Sequence, residues 1–521
     1  MSDRLISSLV WIVAFAAVLC TLDAPGPTWD EPFYIGAADV YRRWFANLAQ
    51  GSWRQPYRDE YWKANREHPP LVKLAIAVCH RAFLPALRIM TASRMVGALS
   101  FATLALVVYR FTSRVRDRRA GLMAAASLVL LPRMFGHARF AALDVPAALG
   151  WMATAFAFWR ATESHADDAA RMRWSIACGT LFGLSLSTKA NTLLLPLVLW
   201  SWGLAFARRR ALVPILCMTL IGPAMLIALW PWLWSNLWER LRAYAFGMPQ
   251  RTLVPVYYLG RAWTERPAPW HYPWVMLLTT VPVGLLGLAF WGAMEVVSTK
   301  QRAAGMLLIM IIGGAPLALS VPPGSGRYDG ARLLQCSFPA LACLAGIGAA
   351  RLERSLRARL SGRIALTLVT VILATQATGI LLTHPQELAY YNALVGGVTG
   401  AQALGLETTY WGDSCDRRVF SWLSDTGNVP PGSTVLFRPV GEYVPTLYER
   451  DSFVRADVRI VNDIDHADFL VLIVRQGMFT SEDWRHYRDG RPVFERAVMG
   501  VPTCQVFRLS DDRPRVAGEP Q

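Results

Sequence analysis

Lysine is nearly missing from this chain. Lys63, Lys73, Lys189 and Lys300 are the only four, against 49 arginines in 521 residues. A protein built to hold nucleic acid would gather its charge on one face or tail. Here the net charge of +16 falls in short arginine clusters between apolar stretches, which excludes that partner and follows the positive-inside bias of membrane proteins. Cysteine is also scarce. Its eight residues form no Cys-x-x-Cys and no Cys/His pattern, so no zinc or dithiol site is encoded. Cys20, Cys178, Cys217, Cys336 and Cys343 lie in apolar stretches, where they read as small hydrophobes. Cys415 and Cys504 stand in the tail and would be free to pair in an oxidising compartment. No glycine-rich phosphate loop, internal repeat or low-complexity segment occurs, which leaves out P-loop and solenoid architectures.

What is present is apolar. The chain is 54% hydrophobic, with 21 tryptophans and a mean hydropathy of +0.28. Those values place it among polytopic membrane proteins. The first apolar stretch, Arg4 to Leu22, has no small-residue cleavage site and reads as a retained span. Membrane helices are expected near 5–22, 93–109, 120–133, 145–160, 174–187, 190–206, 211–233, 274–294, 303–320, 333–350 and 364–382, about eleven in all. Arg110 to Arg119, Arg160 to Arg173, Arg208 to Arg210, Lys300 with Arg302, and Arg351 to Arg363 then fall on one side, the cytoplasmic one. The N-terminus is expected to be cytoplasmic, the C-terminus periplasmic, and the whole to sit in a bacterial inner membrane.

Residues 33–49 and 71–85 are apolar at helical spacing but short and charged. They suit helices lying along the membrane surface within a first periplasmic loop, 23–92. Residues 235–273 and 322–332 form further outer loops. Beyond about 410 short strand patterns appear at 433–439, 458–461, 469–474 and 503–509, with helical patterns at 417–424 and 481–487. The expected division is a membrane domain, 1–382, and a small periplasmic α/β domain, 383–521.

Asp30 and Glu31, adjacent just past the first span, are the first candidates for chemistry. One carboxylate can accept a proton while the other orients a hydroxyl. The plainer possibility is a helix N-cap before Pro32. Lys73, Arg94, Arg139 and Lys189 fall near the outer face in this topology, where converging cations suit a lipid phosphate; each could instead snorkel to the interface. Scarce lysine is either leftover composition or a compact charge kept where phosphate binds. His68 precedes Pro69-Pro70, a rigid turn that starts the Lys73 helix. It could bond a phosphate or serve structure alone. Asp144 could pair with Arg139 or cap a helix. Arg327, Asp329 and Arg332 could line a site or brace their loop.

Four motifs then occur in order: Asp30-Glu31 after the first span; His68-Pro69-Pro70-Leu71-Val72-Lys73; Ala138-Arg139-Phe140 with Leu143-Asp144; and Ser187-Thr188-Lys189-Ala190-Asn191. With His384-Pro385-Gln386-Glu387, Val395-Gly396-Gly397 and Tyr410-Trp411-Gly412, the set resembles the protein O-mannosyltransferases and lipid A aminoarabinose transferases over about residues 1–412. These are membrane glycosyltransferases of the GT-C class, and the second group of motifs resembles their bacterial branch. The resemblance implies a GT-C fold and a sugar donor carried on a polyprenyl phosphate. It implies inverting transfer to a hydroxyl of a protein, lipid or glycan, without a metal or other cofactor. It matches Asp30 to the catalytic base, and Lys73 and Arg94 to donor-phosphate positions. This chain departs from the pattern in its tail, which lacks the repeat modules of eukaryotic protein mannosyltransferases, and in His68, where the aminoarabinose enzymes carry Lys. From the residues alone, a transporter or flippase of a lipid-linked substrate is the alternative; its paired halves and midplane charges contrast with charge gathered at one face here.

Overall fold

The structure, a computed structural model, describes residues 2–84, 86–163, 167–246, 253–298, 304–322, 324–441 and 443–509. Lys300 and Arg302, expected in a basic loop, lie outside the described residues. Two expected surface helices form, Glu31–Ala46 and Leu71–Phe83, with a short third, Tyr57–Trp62, between them. Pro32 starts the first, because its fixed φ and missing N–H suit the opening turn. The inner faces of the three helices carry aromatic rings: Tyr41 stacks on Trp62 at 4.2 Å, and Trp44 meets the same ring edge-on at 5.2 Å.

Helices form at each expected span. Among the described residues, four stretches are long and apolar enough to cross a membrane: Ile89–Val115, Ala190–Leu229, Arg332–Arg357 and Gly362–Thr383. The expected spans are irregular in two places. Residues 190–206 and 211–229 lie in one continuous helical stretch, Ala190–Leu229, interrupted by irregular turns at Gly203–Ala207 and Arg208–Ala211, where Arg208 takes a positive φ of 52°. The expected span 274–294 is two helices, Tyr272–Thr280 and Val283–Ser298, bent by 109°. Pro282 follows the break, and proline cannot continue the backbone ladder there. Val283–Ser298 packs closely on Phe338–Arg357 through Gly292 and Gly348. A Cβ on either would stand 2.0 or 1.9 Å from a carbonyl oxygen of the facing helix, so only glycine permits this approach.

The tail holds a five-stranded sheet. With β1 (Val256–Tyr258) and β2 (Arg261–Trp263) forming a separate hairpin, the strands are β3 (Thr434–Arg438), β4 (Arg459–Val461), β5 (Phe469–Ile473), β6 (Phe494–Val498) and β7 (Val501–Arg508), in the order β4-β3-β5-β7-β6. β4, β3 and β5 run parallel, and β7 pairs antiparallel with both β5 and β6. Central β5 is buried at every position, as a strand covered on both faces must be. Val435, Phe437, Val471 and Ile473 face one core with Phe420 and Tyr448. Leu436, Leu470 and Leu472 face the other, by strand alternation. Cys415 and Cys504 lie together in the first core as free thiols, and burial pushes the Cys415 thiol well up. Residues between the last long helix and this sheet, Leu388, Tyr391 and Trp411 among them, pack into the large helical core instead.

Candidate active site

The turns on either side of the surface helices (residues 29–30 and 66–68), residues 232–244, the loop 324–334 and the tail line a cavity of about 1410 Å³. Asp30 lines it. This residue stands at the N-cap position of Glu31–Ala46, yet its own backbone is already helical (φ −88°, ψ −26°) and its side chain caps nothing. The carboxylate is turned outward, keeps 28% of its side-chain surface exposed, and pairs with Arg332. The hydroxyl of Tyr34 lies 3.5 Å from the same carboxylate.

Arg332 is the hub of the site. Besides Asp30 it bonds Asp144 at 3.1 Å and Asp329 at 2.8 Å, and its guanidinium lies 4.0 Å from the centre of the Trp411 ring. Asp144, buried beneath the cavity, bonds Lys189 at 2.7 Å, and Lys189 reaches the cavity wall. Asp329 bonds Arg475 of the tail at 2.9 Å. Three carboxylates thus alternate with three cations. Such a network holds each buried charge against a partner and fixes the orientation of Asp30, its most exposed carboxylate.

His68 and Arg327 also line the cavity, with Arg66, Arg240, Trp29 and Trp151. Arg327 differs from Arg332 and Arg240 in its partners. It donates to four carbonyls, those of Ser320, Ala268, Val321 and Pro322, at 2.5 to 3.2 Å. Among the described residues no carboxylate is paired with it, whereas Arg240 pairs with Asp59 at 3.0 Å.

Four sequence candidates stand elsewhere. Glu31 is fully buried and does not line the cavity. Its two oxygens accept from Thr28 N–H, Ala141 N–H and the Arg94 guanidinium, all at 2.8 to 3.0 Å. Arg94 gives its remaining donors to the carbonyls of Leu22, Pro25 and Gly26. Together they knot the first loop to the helix Ile89–Val115. Lys73 is buried and donates to the carbonyl and side chain of Asn65 and to the carbonyl of His68, at 2.6 to 3.1 Å. Burial pushes its ammonium well below the usual lysine range. It shapes the turn that presents His68. Arg139 pairs with Glu387 and bonds the Pro385 carbonyl at 3.0 Å, pinning the His384-Pro385-Gln386-Glu387 motif. In each case the polar atoms are spent on partners within the protein, and none of the four residues lines the cavity. Asp144 turns to Lys189 and Arg332, not to Arg139.

Sequence reasoning missed Trp29, Trp411 and Arg475 as parts of this site. A signal existed for Arg475, a lone cation directly ending the apolar run Phe469–Val474. Tertiary contact across 146 positions, from Asp329 to Arg475, left none.

Residues 67–234 match the family described as dolichyl-phosphate-mannose-protein mannosyltransferase. No curated protein matches the chain in sequence. In fold the chain is similar to ArnT from Cupriavidus metallidurans bound to undecaprenyl phosphate, at 16% identity, covering 100% of both chains with a TM-score of 0.55. The apo state of that protein matches at 18% identity over 97% of this chain and 98% of that one, with a TM-score of 0.54. The oligosaccharyltransferase AglB from Archaeoglobus fulgidus, in complex with an inhibitory peptide and a dolichol-phosphate, matches at 11% identity. It covers 99% of this chain and 75% of that one, with a TM-score of 0.50. The likeness to GT-C membrane glycosyltransferases read from the motifs is therefore shown twice, by sequence within 67–234 and by fold along the chain.

Proposed function

We propose that this protein is a membrane glycosyltransferase that moves a sugar from a polyprenyl-phosphate donor to a hydroxyl acceptor on the periplasmic face. One observation carries the reading: an outward carboxylate, Asp30, is held by Arg332 at the edge of a large cavity lined with cations and tryptophans. Asp30 accepts the proton as the acceptor hydroxyl attacks the anomeric carbon. Attack comes from the face opposite the phosphate, so the configuration inverts. Negative charge then collects on the leaving phosphate, where fixed cations stabilise the transition state.

The phosphate seat in this proposal is Arg327 with His68 and Lys189, rather than Lys73 and Arg94. Arg327 lines the cavity, as Lys73 and Arg94 do not, and among the described residues no acid is paired with it. Tryptophan rings suit a sugar face by stacking. Undecaprenyl phosphate in the ArnT structure and dolichol-phosphate in the AglB structure support a lipid phosphate as the donor carrier. The proposed chemistry needs no metal, because Arg332 already sits among the three carboxylates; chelator should leave the rate unchanged. About eleven spans, a cytoplasmic N-terminus and an inner-membrane location complete the proposal.

The test is direct. Purified protein, a polyprenyl-phosphate sugar and candidate acceptors should yield glycosylated product by mass spectrometry, and Asp30→Asn should abolish it. A carrier of lipid-linked substrate would move lipid across vesicles and release no free polyprenyl phosphate; that outcome would overturn the enzyme reading. A reporter active only in the periplasm should work fused after Gln521 and be silent near Asp117.

A further inference from the structure

We infer that the tail domain completes the active site: Arg475 is a positioning residue that sets Asp30 through Asp329 and Arg332. The inference rests on the glycosyltransferase reading above and adds a role for a domain that the motifs do not reach.

The geometry begins at the end of β5. After Ile473 the chain leaves the sheet and turns toward the helical part. Thr409 donates to the Val474 carbonyl, and Gly477 N–H donates to Glu407 at 2.9 Å. Gly477 lies so close to β1 that a Cβ there would meet Val256 at 2.8 Å. The turn is therefore gripped on both sides, and Arg475 projects from it into a place only 1% exposed.

Its guanidinium makes four contacts. It bonds Asp329 at 2.9 Å, donates to the Tyr410 carbonyl and, at 3.5 Å, to the Pro255 carbonyl, and lies 4.4 Å from the centre of the Trp29 ring. Two of these lead to Asp30. Trp29 precedes it in the chain. Asp329 bonds Arg332 at 2.8 Å, and Arg332 bonds Asp30. Asp329 needs such a partner, because its backbone is left-handed (φ +56°), a conformation that a non-glycine residue holds only when surrounding contacts fix it. An arginine can serve Asp329 and Tyr410 at once because its donors form a rigid fork.

Charge balance gives the same result. Asp30, Asp144 and Asp329 are matched by Arg332, Lys189 and Arg475. Removing Arg475 leaves one carboxylate in surplus near the base. Arg332 and Tyr34 touch Asp30 directly, and Asp144, Asp329, Lys189, Tyr328, His68 and Glu67 stand in the same network or cavity wall. Arg475 also faces the buried Glu407, whose carboxyl it pulls down against a burial that pushes it up to about 7, so Asp329 and Glu407 are the acids that lose its charge.

The experiment compares wild type, Arg475→Gln and the double variant Arg475→Gln/Asp329→Asn for turnover, donor KM and the pH profile of kcat. Arg475→Gln should lower kcat by about 10- to 100-fold, the scale of misplacing a reacting group, with donor KM little changed. Its acid limb should move up by about one pH unit, the effect of one added charge several ångströms away. The double variant, again charge-balanced, should return that limb toward wild type. An unmoved limb, or a double variant no different from the single one, would mean that Arg475 serves folding only and would overturn the inference. If Arg475→Gln does not fold, Arg475→Lys keeps the charge but not the fork, and must show the kcat loss without the shift; a wild-type kcat there overturns it equally. Asp30→Asn in the same assay separates the two levels. If it stays active, the glycosyltransferase reading fails; if it is dead while Arg475→Gln is normal, only this inference does.

Discussion

Asp30 and Glu31 differ by one position and one methylene, yet the fold sends them in opposite directions: one carboxylate to the cavity and Arg332, the other into a dry knot with Arg94. Successive residues at a helix start point about 100° apart, so adjacency in sequence separates these acids in space. The longer Glu31 reaches back out of its helix to the Thr28 N–H, while the Asp30 side chain caps nothing. Both regions are ion networks of Arg and acid. The difference is access: every acceptor of the Glu31 knot is internal, while the Asp30 network ends at an opening. Paired buried charge by itself marks structure; paired charge at a cavity edge marks a site.

The largest expected effect tests that contrast by exchanging the two. Asp30→Asn should cut sugar transfer by about 100-fold or more, the usual range for a lost general base, with an unchanged melting temperature. Glu31→Gln should do the reverse. It leaves Arg94 buried without its counter-charge, a change that costs about 3–5 kcal/mol. Yield and melting temperature should fall while the folded fraction keeps near-normal turnover. If Glu31→Gln folds normally but is inactive, the two acids share one site after all.

A smaller effect sharpens the comparison for the cations. Arg327→Ala should raise the KM for the polyprenyl-phosphate donor by about 10- to 150-fold, the range for losing a charged hydrogen bond of roughly 1.5–3 kcal/mol. Lys73→Ala should cost about 1–3 kcal/mol of stability by orphaning the carbonyls it serves, with little change in donor KM once folded. A KM effect at Lys73 and none at Arg327 would return the phosphate seat to the Lys73 helix.

Helices and most strands were legible because apolar periodicity is a local signal. The surface helices 31–46 and 71–83, the helix 417–424 and strands 434–438 and 469–473 stand close to where their patterns lie. The strand Phe494–Val498 escaped, since Glu495 and Arg496 interrupt its apolar pattern. Candidate chemistry was legible by residue type but not by partner. Lys73 and Arg94 look like phosphate ligands until the loop carbonyls that fill their donors are in place. Arg475 looks like nothing until the tail turns back onto Asp329. Partnership across long sequence separation is a tertiary fact, and a single sequence carries no term for it.

A last effect, read in stability against pH rather than in turnover, lies at Asp413. This residue is fully buried in the turn after Trp411, its carbonyl accepts from Gly26 N–H at 2.9 Å, and burial pushes its carboxyl up to about 7 although Arg139 and Arg94 pull it back. The folded value therefore lies above that of an exposed aspartate, about 3.9. The sign follows from linkage. Below about 4 the group is neutral in both states and neither helps nor harms. Between about 4 and 7 the unfolded chain releases the proton while the folded one keeps it, so stability falls as pH rises; above 7 the penalty is constant. Asp413→Asn keeps the shape and removes the titration. In detergent, its melting temperature should exceed wild type at pH 8, and the gap should close steadily to nothing near pH 4. A gap that does not change with pH would show that the amide alters packing rather than charge. A wild type favoured at pH 8 would show that Arg139 holds Asp413 as a working ion pair. In that case Asp413 would join the Glu31 knot as a charged member rather than sit beside it as a neutral one.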